Sequence, residues 1–300
     1  MIDIENGRYW DEGITLIESC TRISPGCKNC WSLAREKRFH QGIEGEIVTH
    51  PERLKRFNTR KPKVFSLWND LLHEGVKTRF IAETIEAMQI NKSNIFLVLT
   101  KRPERLAKFA YNWGLLPLHN VYWGLTVCNQ QEADEKIPIF LTVPGKKFLS
   151  IEPCLGPVDL LGLGIVCQKS NSDLICTDTN RVGCITGNCK GNISFDAVIL
   201  GGETGPGARP LNPEWVRSVR DQCAASNMPF FFKGWGEWAP SLAGFCYHEP
   251  IHGGPVFPTQ AESKRTYQWD TGYGAVRIGR KKAGRLLDGY THDDLPWRKP

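Results

Sequence analysis

The 300-residue sequence contains no apolar run of about 18 residues or more, the length that a membrane-crossing helix requires. It also lacks a basic leader followed by an apolar stretch, so neither membrane insertion nor secretion is expected and a cytoplasmic location is. Charge of one sign is not in excess. The 38 basic and 32 acidic residues leave +6, which permits a nucleic-acid partner without demanding one. No H-x-E accompanies a P-C-x-x-C, which disfavours a zinc hydrolase of the deaminase kind. What the chain does have is 11 cysteines, and in a reducing compartment these point to metal or cluster ligation rather than to disulfides.

Three of them, Cys20, Cys27 and Cys30, lie in a C-x6-C-x2-C run, and no further cysteine follows until Cys128. A closed zinc site or an electron-transfer cluster takes four protein ligands, so a compact trio suggests a metal with one coordination position open to chemistry. Ser24, Pro25 and Gly26 can turn the chain back to bring Cys27 and Cys30 toward Cys20, and Lys28 sets a positive charge beside the thiols. The plainer alternative is a zinc knuckle completed by His40 or His50. No paired C-x2-C or H-x3-H partner lies nearby to support it. The trio resembles the cysteine loop of radical S-adenosylmethionine enzymes, which binds a four-iron four-sulfur (4Fe-4S) cluster. It departs from the common C-x3-C-x2-C form and carries Trp31 just after the last cysteine instead of an aromatic just before it.

Short apolar segments at 15–18, 64–68, 95–100, 121–127, 147–151, 197–200 and 229–232 end in polar or Gly-rich turns. Helical patterns follow at 30–41, 78–89, 103–111, 130–141 and 213–226. This alternation predicts an α/β fold, a partial (β/α) parallel barrel of about six or seven strands, with active residues at the C-terminal strand ends. Asn69 and Asp70, then Thr100, Lys101 and Arg102, then Thr126, Glu152, Glu203 and Lys233 fall there. Each alone could be a cap or a surface residue, but together they predict a shared ligand site. In Gly201-Gly-Glu-Thr-Gly-Pro-Gly-Ala-Arg-Pro210 the glycines allow close backbone approach, Glu203 could hold an ammonium and Arg209 a carboxylate or phosphate. A purely conformational role for those glycines is the alternative. The aromatics of Phe230-Phe-Phe-Lys233 are more often core than stacking platform. Basic groups at 53–63, at 101–102 and at 277–285 suit either phosphate contacts or solvated surface.

Between 166 and 193 the pattern breaks into a polar insertion with Cys167, Cys176, Cys184 and Cys189, spaced C-x8-C-x7-C-x4-C. A segment too polar to build a core suggests a metal in its place, zinc first, with a second iron–sulfur cluster or free thiols as alternatives. Residues 1–240 then form the barrel domain with its insertion. Residues 241–300 form a turn-rich closing segment whose basic half could meet phosphates.

Taken together, Ser24-Pro-Gly-Cys-Lys-Asn-Cys30, Leu99-Thr-Lys-Arg-Pro103, Leu149-Ser-Ile-Glu-Pro153, the Gly201–Pro210 run, Phe231-Phe-Lys233, Trp235-Gly-Glu237 and Leu287-Asp-Gly289 resemble a family of bacteriophage and prophage proteins. That family is marked by a three-cysteine motif and is considered radical S-adenosylmethionine-like. Cys128 stands where family members often carry an acidic residue, and Gly234 where a glutamine is common. The resemblance implies a 4Fe-4S cluster on Cys20, Cys27 and Cys30, S-adenosylmethionine across the rim, and an electron donor such as flavodoxin or ferredoxin.

Within that expectation Asn69, Asp70 and Glu203 are candidates for the methionine amino group and Arg209 for its carboxylate. Thr100 and Thr126 join them as candidate cofactor contacts. Lys101, Arg102 and Lys233 are candidates for a substrate anion, and Lys101, Glu152 and Lys233 for catalysis. The expected substrate is a nucleic-acid base, such as an amino-acid-substituted thymine rearranged during phage DNA modification in the host cytoplasm. A peptide or small metabolite would use the same rim. The rival of another class is a non-catalytic, zinc-dependent nucleic-acid-binding protein.

Overall fold

Each apolar segment that ends in a polar turn becomes a strand, and most become parallel neighbours. The computed structural model describes residues 6–39, 43–161, 195–242, 245–246 and 266–298. β1 (Glu12–Thr15) is followed by a small antiparallel pair, β2 (Ile17–Glu18) and β3 (Val48–Thr49). Then come β4 (Val64–Trp68), β5 (Ile95–Thr100), β6 (Val121–Val127), β7 (Lys146–Ile151), β8 (Ala197–Gly201) and β9 (Phe230–Gly234). Seven strands run parallel in the order β1-β4-β5-β6-β7-β8-β9, a curled half-barrel of the partial (β/α) kind that the alternation predicts. The helices are α1 (Trp31–Phe39), α2 (Thr78–Ile90), α3 (Pro103–Trp113), α4 (Gln130–Leu141) and α5 (Pro213–Ala225). Among the described residues no helix is long and apolar enough to cross a membrane.

Period-two alternation sends the strand residues to two cores. Phe96, Val98, Val121, Trp123, Leu125, Leu149, Ile151, Val198 and Leu200 face outward into the larger core, beneath α2 to α5. The helix α5 shows how local chemistry delivers its face. Asn212 accepts a bond from Glu214 N at 2.9 Å, Pro213 opens the first turn, and Val216, Val219 and Cys223 line the buried stripe. Val216 and Val219 are fully buried, and each such side chain contributes about 1.5–3 kcal/mol.

The intervening residues face the concave interior, where Val64, Leu97, Tyr122, Phe148, Ala197, Ile199 and Phe231 form a second, smaller core. Gly124 has no side chain because a Cβ there would lie 2.4 Å from the ring of Phe148. Residues 7–11 cross the open side between the two edges of the half-barrel. Gly7 (φ 70°) lies against the Lys233 carbonyl, so close that a Cβ would stand 2.2 Å from its oxygen. Tyr9 meets Phe231 edge to face, and Asp11 bonds Val64 through both its N–H (2.8 Å) and its carboxylate (2.7 Å).

Among the described residues the closing segment carries regular structure where the sequence predicts turns. β10 (Trp238–Leu242), β11 (Phe245–Cys246), β12 (Thr266–Gln268) and β13 (Tyr273–Arg277) form an antiparallel sheet in the order β11-β10-β13-β12, so regular structure starts at Trp238 instead of giving way to turns after 240. After α6 (Arg280–Ala283), Asp288 at φ 53° takes the guanidinium groups of Arg217 and Arg220. Arg285 bonds Asp293 and the Phe232 carbonyl. Trp297 then fills the interior floor against Tyr122 and Phe148, and its Nε1 donates to Tyr9 O at 3.1 Å.

The first strand is also displaced. It is expected at 15–18 but lies at 12–15, because Gly13 hides it. The indole of Trp68 occupies the space where a Gly13 side chain would stand, with ring atoms 2.1 Å from a Cβ. Cys167, Cys176, Cys184 and Cys189 lie outside the described residues.

Replacing Trp297 by alanine should remove one wall of the interior core and cost about 3–5 kcal/mol. The readout is a fall in the denaturation midpoint. An unchanged midpoint would mean that the floor holds without the indole.

Candidate functional site

The chain between β2 and α1 lies over the C-terminal ends of the parallel strands. Ser24 Oγ accepts from Gly26 N at 3.1 Å and caps a short turn over Pro25–Cys27. Cys30 N then bonds Cys27 O at 3.2 Å, so the two thiol residues stand one turn apart. Four strand ends touch this loop, and a fifth, that of β4, touches the elements on either side of it. Beyond β4, Asn69 accepts from Ser32 Oγ and donates to Ile17 O at 2.7 Å, holding φ 63° to do so. Beyond β5, Arg102 reaches Thr21 Oγ1 at 2.8 Å and Cys20 Sγ at 3.8 Å. Beyond β6 and β7, Cys128 and Pro153 lie so near buried Gly26 that a Cβ there would be 3.4 Å from each. Beyond β8, Glu203 Oε2 and Gly207 O accept from Asn29 Nδ2 at 3.0 and 2.6 Å, while Arg209 Nη2 donates to Pro25 O at 3.0 Å.

Rim residues expected to meet ligands are thus largely bonded to one another. Asp70 accepts from Leu72 N, Thr100 Oγ1, Lys101 N and Arg102 Nη1 at 2.8–3.2 Å. Arg102, expected to meet a substrate anion, is 3% exposed and held by Asp70 and by both oxygens of Glu74. Burial alone would lower its pKa, but Asp70 and the Cys20 position outweigh this and hold it above the ordinary value. Glu203 and Arg209, expected to hold an ammonium and a carboxylate, bond each other through Nε at 2.8 Å and Nη2 at 2.6 Å.

His73, which the sequence does not single out, accepts from Gly75 N at Nδ1 (3.0 Å). That leaves Nε2 as the donor to Thr21 Oγ1 at 2.9 Å. Burial, and then the charge of Arg102, lowers its pKa. Asn29 is a further contributor that carries no periodic signal in the sequence.

The thiols differ in surroundings. Cys20, Cys27 and Cys30 are partly exposed and free, whereas Cys128, Cys154 and Cys223 are buried. Burial and then Asp70 push the Cys20 thiol up to about 11, with Arg102 acting against them. Among the described residues no group of three His, Cys, Asp or Glu side chains stands in metal-holding geometry. Cys20, Cys27 and Cys30 are nevertheless three free thiols on one anchored loop, the donor type that an iron–sulfur cluster takes.

Toward the concave side, Lys233 Nζ bonds Glu152 Oε1 and stands 5.9 and 5.6 Å from the ring centroids of Tyr9 and Trp10. Burial and then the charge of Glu152 raise the Tyr9 hydroxyl. Thr126 is buried, and register sets it beside Ser150, which in turn pairs with Ile199. Several cations of the basic groups are already engaged. Arg53 bonds Glu18, Arg56 and Lys63 both bond Glu12, Arg277 bonds Gly205 O and Arg285 bonds Asp293. Arg60, Lys61, Arg280, Lys281 and Lys282 are exposed.

One family model, described as protein of unknown function (DUF5131), matches residues 7–296. No curated protein and no solved structure matches the chain.

Burial pushes the carboxyl of Glu203 up, but bonds from Arg209 and Asn29 outweigh this and leave it below the ordinary value. The stability it contributes is present above the ordinary glutamate pKa and is lost as pH falls through the lower native value. Glu203→Gln should therefore be less stable than the parent near neutral pH, with the difference closing in acid. Denaturant midpoints from about pH 7 to about pH 3 read this, and a difference that stays constant would mean that the charge is not the stabilising feature.

Proposed function

The chain belongs to the DUF5131 family, and we propose that it is an enzyme of the radical S-adenosylmethionine type. In this reading Cys20, Cys27 and Cys30 hold a 4Fe-4S cluster, and S-adenosylmethionine takes the open position. The observation that carries the reading is the placement of the cysteine loop over the C-terminal rim of a parallel half-barrel, tied to successive strand ends by side-chain bonds and close contacts. Parallel barrels carry their chemistry at that rim. The motif resemblance is the second support.

When bound, the cluster and S-adenosylmethionine supply a 5′-deoxyadenosyl radical able to take an unactivated hydrogen from substrate. The chain's own residues supply position, charge and shelter. Arg102 fixes the start of the loop through Thr21 and sets an N–H against Cys20, while Asn29, Glu203 and Arg209 fix its far side. Asp70 and Thr100 act by holding Arg102 and the Lys101 backbone in place. Lys233 and Glu152, partly exposed above an apolar floor, are the pair placed to meet substrate. The ammonium would hold an anionic group, and the carboxylate would hold Lys233 Nζ in position. Thr126 lies in β6, and Lys101 directly follows the neighbouring β5.

The substrate in this reading is a nucleic-acid base in phage DNA, for example an amino-acid-substituted thymine undergoing rearrangement. The electron comes from flavodoxin or ferredoxin in the host cytoplasm, and zinc in the 166–193 insertion would be structural.

The test is anaerobic reconstitution with iron and sulfide, followed by dithionite and S-adenosylmethionine, with 5′-deoxyadenosine as the readout. The parent should form it and Cys27→Ala should not. A colourless protein with stoichiometric zinc and no 5′-deoxyadenosine would overturn the reading in favour of a zinc-dependent nucleic-acid-binding protein.

A further inference from the structure

An aromatic and cationic group stands beside the cysteine loop and has no part in the bonds that anchor it. Trp68 ends β4 with its indole laid over Gly13 of β1. Trp31, directly after Cys30, meets it edge to face with centroids 5.2 Å apart and planes at 83°. Arg35, one turn along α1, sets its guanidinium 5.7 Å from both ring centroids. Despite these neighbours Trp31 remains 49% exposed. Trp113 is comparably exposed, but it stacks nearly flat on Phe109 of its own helix. Arg35 Nε is shielded from solvent and has no hydrogen-bond partner, a state that an incoming acceptor would relieve.

An open indole beside a guanidinium is the pairing that single-stranded nucleic acid uses, with the ring stacking a base and the cation meeting its phosphate. A duplex covers both faces of every base and cannot use the ring in this way. Exposed Lys28, in the same loop, adds positive charge on the approach. We propose that Trp31 and Arg35 form a subsite for single-stranded nucleic acid, Trp31 stacking an unpaired base and Arg35 binding the adjoining phosphate. It rests on the nucleic-acid part of the reading above and is independent of the radical chemistry.

The experiment measures fluorescence anisotropy of a labelled oligothymidylate on the full-length chain, both as purified and after anaerobic reconstitution. Trp31→Ala should weaken binding about tenfold or more, and Trp31→Phe should keep most of it. Arg35→Ala should lower the slope of log affinity against log salt by about 0.7, the contribution of one phosphate contact on a single strand. Unchanged affinity in Trp31→Ala together with an unchanged slope in Arg35→Ala would overturn the subsite, and so would equal binding of duplex and single strand. A parent that forms 5′-deoxyadenosine without binding the strand would sink the subsite alone. A parent that binds the strand through Trp31 without forming 5′-deoxyadenosine would sink the radical reading alone.

Discussion

A guanidinium taken out of water must find acceptors along its whole planar edge, and Arg102 finds them in separate stretches of chain: Asp70, Glu74, Thr21 and Cys20. The bonds to Asp70 and Glu74 tie the end of β5 to the segment after β4, and those to Thr21 and Cys20 tie both to the cysteine loop. Breaking a buried pair of this kind by removing one partner typically costs about 3–5 kcal/mol, because the other charge is left behind. The cation therefore works as a joint between sheet and loop. The Glu203–Arg209–Asn29 group is the corresponding joint at the far side, and the loop is suspended between the two.

Much of the parallel sheet was legible because each strand is a short apolar run ending in a polar turn, and the same rule found the rim. Asn69, Glu152, Glu203 and Lys233 sit at strand ends as expected. What the rule cannot see is which rim residue bonds which. Asn29 meets Glu203 across 174 residues and Arg102 meets Cys20 across 82, and contacts between such distant residues leave no periodic trace. The antiparallel sheet was missed for a related reason. Its central pairing joins Trp238–Leu242 to Tyr273–Arg277, and Pro240 lies in the middle of the first of these, where a proline argues against a strand. β1 was shifted because the glycine that weakens its sequence pattern is the one that admits Trp68.

The two faces of the sheet divide the work. The outer face is a conventional helix-covered core whose residues answer to volume and hydrophobicity alone. The concave face changes character along its length, from aromatic packing around Phe148 and Trp297 at the floor to charged pairs at the rim. An apolar floor beneath a charged rim lowers the local dielectric and strengthens electrostatic interactions above it.

Tyr9 and Trp297 meet on that floor although 288 residues separate them, and the crossing at residues 7–11 needs both edges of the sheet in place. A contact of such long range is among the most expensive loop closures available to the chain, so it is expected late in folding. During synthesis, the parallel strands and their helices can assemble in order while the interior stays open at one side. The seal forms only once the segment carrying Trp297 has emerged from the ribosome. The cysteine loop, whose anchors all lie before residue 210, would thus be in place while the concave face of the sheet still lacked its floor.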